Sequence, residues 1–350
     1  MTGNSAHFAR LIRRMAGRRI AVLGDWMMDR YIWGAATRLS PEAAVPVVDF
    51  AEQSECLGGA GNVAANLSAL GARVSVFGVA GEDEPGRALQ NCLRAAKFSG
   101  GNLLTDARRP TTVKTRIIAR HQQVVRVDRE SRAPMSPELE RKLLRRVLAG
   151  LHGLHALVIS DYDKGVVTDS LAERVLDACR RTDVPVFVKP KWSRLPAYGG
   201  AAAVIVNRAE ASYLVRSPLQ SIETLQGAGR DLLAHFSCGA VIITRGEQGM
   251  SIFERDEKRG FHVPATSRER HFGQAGHDQN ARGRQVFDVT GAGDTVLAGF
   301  ALAMAAGATV RDAAILGNAA AGVVVGKLGT ACVTPPELLA AVREMKIPRG

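Results

Sequence analysis

An α/β sandwich with a mostly parallel central sheet and helices on both faces is predicted by three observations. Short apolar runs rich in β-branched residues recur along the chain, amphipathic stretches of helical period lie between them, and only two segments break the alternation. In chain order the runs at residues 19–23, 74–79, 156–159, 184–188, 203–206 and 241–244 read as buried parallel strands, with ligands expected at their carboxyl ends. The exceptions, residues 31–50 and 113–128, look extended and half exposed; the second alternates as Val-Lys-Thr-Arg-Ile-Ile-Ala-Arg and predicts a small separate sheet. This sheet is expected to act as a lid formed by about residues 28–50 and 112–128 of a single domain spanning 1–350. Residues 264–285, rich in Arg, His, Gln, Gly and Asn, read as a mobile loop whose His271 and His277 lack the partners of a metal site.

Composition narrows the function classes. A hydrophobic share of 46% and a charged share of 23% suit a soluble globular enzyme and exclude disorder of the whole chain. Five dispersed cysteines form no Cys-x-x-Cys pair, so neither a disulfide framework nor a zinc site is indicated and a reducing cytoplasm fits. No signal-peptide pattern follows Arg10, Arg13 and Arg14, and the longest apolar run is too short to span a bilayer. The formal charge of +12 raises nucleic acid as a partner. The arginines are scattered and lack interleaved aromatics, however, so solvated helix faces and a site for polyanions account for the charge instead.

The most informative stretch is FDVTGAGDT at 287–295, where a glycine-rich turn and an acid precede a helix built from Val296, Leu297, Phe300, Leu302 and Met304. Gly291 and Gly293 permit a tight turn whose N–H groups face an anion at the positive end of the helix. The same residues also read as an ordinary turn capped by Asp294. A second glycine cluster, LGGAGNVAAN, with Glu82 and Asp83 about twenty residues on, loosely imitates a dinucleotide fingerprint and makes a dehydrogenase the rival class. In that fold the glycines leave the first strand directly, whereas here a whole lid segment intervenes. No Gly-x4-Gly-Lys-Ser/Thr motif occurs, which removes a P-loop.

GGAGNVAAN near the start and DVTGAGDT near the end, in this order, resemble the ribokinase-like (PfkB) family of carbohydrate kinases. The stretches GDWMMDRYIWG, RLSPEAAVPVV, PTTVKTRIIARHQQVVRVD, SDYDKG and GNAAAGVVVGKLGTACV are similar to its branch acting on D-glycero-D-manno-heptose 7-phosphate, without the adenylyltransferase module that often follows. The resemblance implies a ribokinase-like three-layer α/β/α sandwich. It also implies a cytoplasmic, ATP- and Mg²⁺-dependent kinase that phosphorylates the anomeric hydroxyl of the heptose phosphate for lipopolysaccharide precursors. A homodimer is implied too, because lid strands pair between subunits in related kinases; nucleic acid and membrane are not. Another sugar or sugar phosphate, or a degenerate metabolite-binding homologue, remain the alternatives.

Roles follow residue by residue. Asp294 is implied as catalytic base and the N–H groups of Gly291, Ala292 and Gly293 as anion hole. Asp29, Gly58, Gly59 and Asn62 fall at sugar-binding positions, while Lys114, Arg116, Arg120, Arg126, Lys164 and Lys191 are candidate phosphate-binding cations. Asn207 and Glu210 match an Asn-x-x-Glu whose glutamate organises Mg²⁺ through water, and Thr244, Gly246 and Asn318 fall on the nucleotide side. Asp288 matches a position linked in some relatives to a monovalent cation. The pattern departs at Lys189, where the resembled kinases read Asp-Pro-Lys; Asp163, replacing a small residue, is expected to offset it where the two approach.

Overall fold

The computed structural model describes residues 2–98, 103–119, 122–191, 198–266, 289–327 and 329–345. Six of the apolar runs become β1 (Arg19–Gly24), β4 (Arg73–Phe77), β9 (Ala156–Ser160), β10 (Val186–Lys189), β11 (Ala203–Asn207) and β12 (Ala240–Thr244). They pair in parallel in the order β12-β11-β10-β9-β1-β4. Two strands that the sequence pattern did not mark, β13 (Met250–Glu254) and β14 (Phe261–Val263), extend the other edge antiparallel and complete an eight-stranded sheet.

Alternate residues of each strand enter opposite cores, which is why these runs are apolar throughout. Ile20, Val22, Val158 and Ile242 pack with α1 (Thr2–Met15), α2 (Ala60–Ala69), α8 (Ala292–Ala305), α9 (Val310–Val324) and α10 (Pro335–Glu344). Their neighbours Ala21, Leu23, Ile159 and Ile243 pack with α4 (Pro137–Ala149), α5 (Asp169–Arg181) and α7 (Ile222–Phe236) on the other face. The result is the expected three-layer sandwich. Helix α8 is buried nearly all round, as an apolar helix without a polar face must be.

Strand β4 stops at Phe77 rather than continuing to 79, because the Trp26 indole donates to the Phe77 carbonyl at 2.8 Å and the chain turns at Gly78. Val79–Gly81 then forms β5, paired with β6 (Leu104–Asp106), and α3 (Glu84–Ala95) follows.

The two exceptional segments form a separate four-stranded sheet, β3-β2-β7-β8, from β2 (Trp26–Leu39), β3 (Pro46–Gly59), β7 (Thr112–Ala119) and β8 (Gln122–Arg129). It is longer than expected, since β3 runs on to Gly59 and delivers the chain directly into α2. Leu39, Phe50, Val124, Val125 and Val127 leave an exposed apolar surface on this sheet. The sequence-marked loop at 264–285 lies, from residue 267 onward, outside the described residues.

Candidate active site

The carboxyl ends of the parallel strands place the polar residues. β1 leads to Asp25, β9 to the segment 161–166, β10 ends in Lys189, β11 in Asn207 and β12 in Thr244. Facing them is the first turn of α8, whose N-cap Gly291 holds φ at 78°, a conformation open to glycine at little cost. No side chain caps this helix, so Asp294 is not the turn cap that one reading of the sequence allowed.

Asp294 is instead a buried carboxylate gripped from three elements. Its Oδ1 accepts from Lys189 Nζ at 2.7 Å and from the Tyr162 hydroxyl, while its Oδ2 accepts from Asn62 Nδ2 at 3.2 Å. Lys189 Nζ also donates to Tyr162 Oη at 3.1 Å and lies 4.9 Å from the centre of that ring. Burial disfavours the Lys189 ammonium, but Asp294 and Tyr162 outweigh it and hold its pKa above the ordinary lysine value. Burial beside Asp294 also raises the Tyr162 hydroxyl. The counter-charge of Lys189 is thus Asp294 rather than Asp163, whose backbone N–H donates to Asp161 at 2.8 Å.

The amide turn differs in one detail from expectation. The Ala292 N–H bonds the Val289 carbonyl at 3.2 Å, whereas those of Gly291 and Gly293 have no partner among the described residues. The amides open to an anion are therefore those of the two glycines.

Two cavities meet at this turn. One, of about 380 Å³, is lined by Asp29, Gly59, Gly291 and Asp294 together with the cations Lys114, Arg116, Arg126, Arg132, Lys164 and Lys191. The other, of about 160 Å³, is lined by Thr244, Gly246, Ala292, Gly293 and Asn318. Of the positions expected from the sequence, Asp29, Gly59, Lys114, Arg126, Lys164 and Lys191 line the first chamber and Thr244, Gly246 and Asn318 the second, while Asn62 lines neither and reaches the site through its bond to Asp294, which borders the first. Gly58 borders the first, since a Cβ there would stand 2.6 Å from Asp29 Oδ2. Arg120 and Asp288 lie outside the described residues.

In the first cavity Arg116 binds Asp29 at 2.7 Å, and burial, opposed by that guanidinium, raises the Asp29 pKa. Lys114 reaches Asp128 at 2.9 Å and Glu130 at 3.4 Å, Lys164 reaches Glu130 at 2.8 Å, and Arg126 reaches Asp128 at 2.9 Å. Partial burial of Asp128 and Glu130 is outweighed by these cations, which keep both pKa values low. Cations on the lid strand β7 and on the β9 segment thereby converge on one space.

Asn207 and Glu210 do not line either cavity. They form the capping box of the short α6 (Arg208–Leu214), with Asn207 N–H donating to Glu210 Oε2 at 2.9 Å and Lys191 pairing with Oε1 at 3.1 Å. Among the described residues no group of three or more His, Cys, Asp or Glu side chains could hold a metal ion, and no helix is long and apolar enough to cross a membrane.

Sequence reasoning missed Tyr162 and Asp25. Buried Asp25 accepts from the N–H groups of Tyr162 at 2.7 Å, Lys164 at 3.2 Å and Val166 at 3.3 Å, which fixes the segment carrying Tyr162 and Lys164. Asp161 beside it accepts from Tyr198 Oη at 2.6 Å; burial and the Asp25 charge push its pKa up to about 7. The signal was the pairing of GDW with SDYDKG at the ends of adjacent strands β1 and β9.

A carboxylate beside an open amide turn, between a cation-rich chamber and a second chamber, defines a phosphotransferase acting on a hydroxyl. Comparison with known proteins agrees. Residues 18–336 match the model of the pfkB family of carbohydrate kinases, and the chain belongs to that family. Its ATP dependence follows from that membership. The chain is 41% identical over 332 residues to the bifunctional protein HldE of Pelobacter propionicus, covering 95% of this chain and 64% of that protein. It is 42% identical over 321 residues to HldE of Geobacter sulfurreducens, covering 92% and 62%. The chain therefore spans less than two thirds of these relatives' length. Phosphofructokinase-2 of Escherichia coli, crystallised with potassium, superposes with a TM-score of 0.74 at 18% identity, covering 93% of this chain and 98% of that one. Ribokinase of Arabidopsis thaliana complexed with ribose and ATP gives 0.70 at 19% identity, covering 94% and 99%.

Proposed function

We propose that this kinase transfers the γ-phosphoryl group of ATP to the anomeric hydroxyl of D-glycero-D-manno-heptose 7-phosphate, giving heptose 1,7-bisphosphate in the cytoplasm. The observation that carries this reading is the first cavity: six cations surround a space that ends on Asp294 and the Gly291 amide. Asp29, Asp128, Glu130 and Asp294 line the same space and offset four of these charges, and the positive surplus that is left suits a phosphorylated sugar better than a neutral one. The likeness of the lid strands to the heptose-phosphate branch favours that sugar.

In this reading Asp29, Gly58, Gly59 and Asn62 orient the sugar hydroxyls, and Lys114, Arg116, Arg126, Lys164 and Lys191 receive its phosphate. Asp294 takes the proton of the attacking hydroxyl through Oδ2, the oxygen held, among the described residues, by the Asn62 amide alone. The Gly291 and Gly293 N–H groups stabilise the transferring phosphoryl group. Thr244, Gly246 and Asn318 hold the nucleotide. Both oxygens of Glu210 already carry a partner, which suits an acid that reaches Mg²⁺ through water rather than directly. When bound, Mg²⁺ supplies neutralising charge to the triphosphate oxygens.

The small sheet closes on the sugar and excludes water, which keeps Asp294 from promoting ATP hydrolysis. Its exposed apolar surface, which includes Phe50 at 66% exposure, supports a homodimer joined through these sheets. The test is an ADP-release assay over heptose 7-phosphate and other sugar 7-, 6- and 5-phosphates, with Asp294→Asn as blank and ³¹P NMR to locate the new phosphate. Heptose 7-phosphate should give the highest kcat/KM and a C1 phosphate. Turnover confined to another sugar, or a product phosphorylated elsewhere, overturns the substrate assignment.

A further inference from the structure

We propose that Lys189 is a catalytic residue: its ammonium pairs with Asp294 in the resting site and turns to the transferring phosphoryl group as Asp294 takes up the hydroxyl proton. This rests on the kinase reading above and adds to it a cation supplied by the chain itself at the point of transfer.

Three observations place it there. Lys189 Nζ is 2.7 Å from Asp294 Oδ1, so it stands beside the group that receives the proton. A Cβ built on Gly293 would lie 3.2 Å from the same nitrogen, which sets the ammonium against the backbone of the open amide turn. That turn is where the chambers adjoin, with Gly291 and Asp294 on the sugar side and Ala292 and Gly293 on the nucleotide side. Lys189 lines neither chamber itself; its ammonium sits against Asp294 and Gly293, from where it can turn to a phosphoryl group held at this turn. Its side chain is only 20% exposed, so little solvent screens the charge.

The charge balance gives the ammonium its second partner. As the acceptor oxygen forms its bond to the γ-phosphorus, the bond from phosphorus to the β–γ bridging oxygen breaks and its electron pair leaves with ADP. The hydroxyl proton passes to Asp294 Oδ2, and the carboxylate becomes a neutral acid. Lys189 then faces an uncharged carboxyl on one side and phosphoryl oxygens on the other. An interaction that strengthens along the reaction lowers the barrier, whereas one equally strong throughout does not. Tyr162, bonded to both Lys189 and Asp294, keeps the two aligned during the exchange.

The test compares Lys189→Met and Lys189→Arg with the wild type. The first readout is kcat and KM on the best acceptor; the second is the affinity for MgADP alone and for MgADP with aluminium fluoride, a mimic of the transferring phosphoryl group that needs no acceptor. Lys189→Met should lower kcat by about 10²–10³-fold, the scale of losing one charge-stabilising donor, with KM for ATP changed by less than about threefold. It should bind MgADP normally and lose at least about tenfold in the fluoroaluminate complex, and Arg should restore part of both. If Lys189→Met melts below assay temperature, Lys189→Gln, which keeps a donor without the charge, carries the same comparison. A neutral variant with undiminished kcat and undiminished fluoroaluminate affinity overturns the proposal. A wild type that phosphorylates no sugar sinks the substrate reading alone, because the fluoroaluminate comparison still decides Lys189.

Discussion

Replacing Asp294 by Asn should cost stability as well as activity, and a second substitution should restore only the stability. The change removes the charge facing Lys189 while leaving the ammonium in place, with only 20% of its side chain exposed and that of Asp294 only 4%. Stripping one partner from a buried pair costs about 3–5 kcal/mol, and the partial exposure of Lys189 puts this case near about 3 kcal/mol. Lys189→Met leaves a carboxylate still bonded by Asn62 and Tyr162, and should cost about 2 kcal/mol. In Asp294→Asn/Lys189→Met neither charge remains, so the double variant should lose no more than about 2 kcal/mol, a coupling of about 3 kcal/mol. Its activity should stay at the level of Asp294→Asn, at least about 10²-fold below wild type, because the base is gone. Urea denaturation of the four proteins measures the cycle, and the ADP-release assay measures turnover. Additive stability losses would mean that the pair is not coupled in solution and would refute the reasoning.

Two further outcomes follow from the same geometry. Gly291→Ala forces a side chain into a left-handed conformation and sets its Cβ 2.3 Å from Asn62 Nδ2; kcat should fall by about 10²-fold through displacement of the amide turn, with a melting temperature lower by a few degrees, as steady-state kinetics and calorimetry will show. The raised Asp161 pKa means that the folded state favours the protonated acid, so the stability it contributes is full below about 3.8 and disappears as pH rises through about 7. Thermal melts between pH 4 and 9 should therefore fall up to about pH 7 and level off above it, and Tyr198→Phe, which deletes a bond to the ionised form, should move the end of the fall upward; a flat wild-type profile would discount Asp161 as a titrating group.

The central sheet was legible because burial on both faces writes itself as unbroken apolar runs, as in Ala21–Val22–Leu23 and Ile242–Ile243. The small sheet was legible for the opposite reason, charged residues interleaved with apolar ones on β7, although its burial does not strictly alternate. Strand β14 escaped notice because three residues at the sheet edge carry no comparable run, and β13 because its apolar stretch is interrupted by Ser251 and paired antiparallel by its neighbour β12. In the site, the glycine turn and Asp294 could be read locally. The partnership of Asp294 with Lys189 could not, since 105 positions separate them and only the packing of α8 across the ends of β9 and β10 joins them. Lys189 stood out as a departure from pattern, but its true counter-charge was a matter of topology rather than of spacing.

The reciprocal bonds between Asn207 and Glu210 bear on how this corner of the protein can evolve. Glu210 starts a seven-residue helix and pairs with Lys191 at the same time, so drift at that position is opposed twice: the first turn of α6 unravels and Lys191 loses its ion pair with Glu210. Asn207, whose side chain receives the Glu210 amide, is protected by the same reciprocity. Even a descendant freed from handling phosphate would therefore abandon these two residues late.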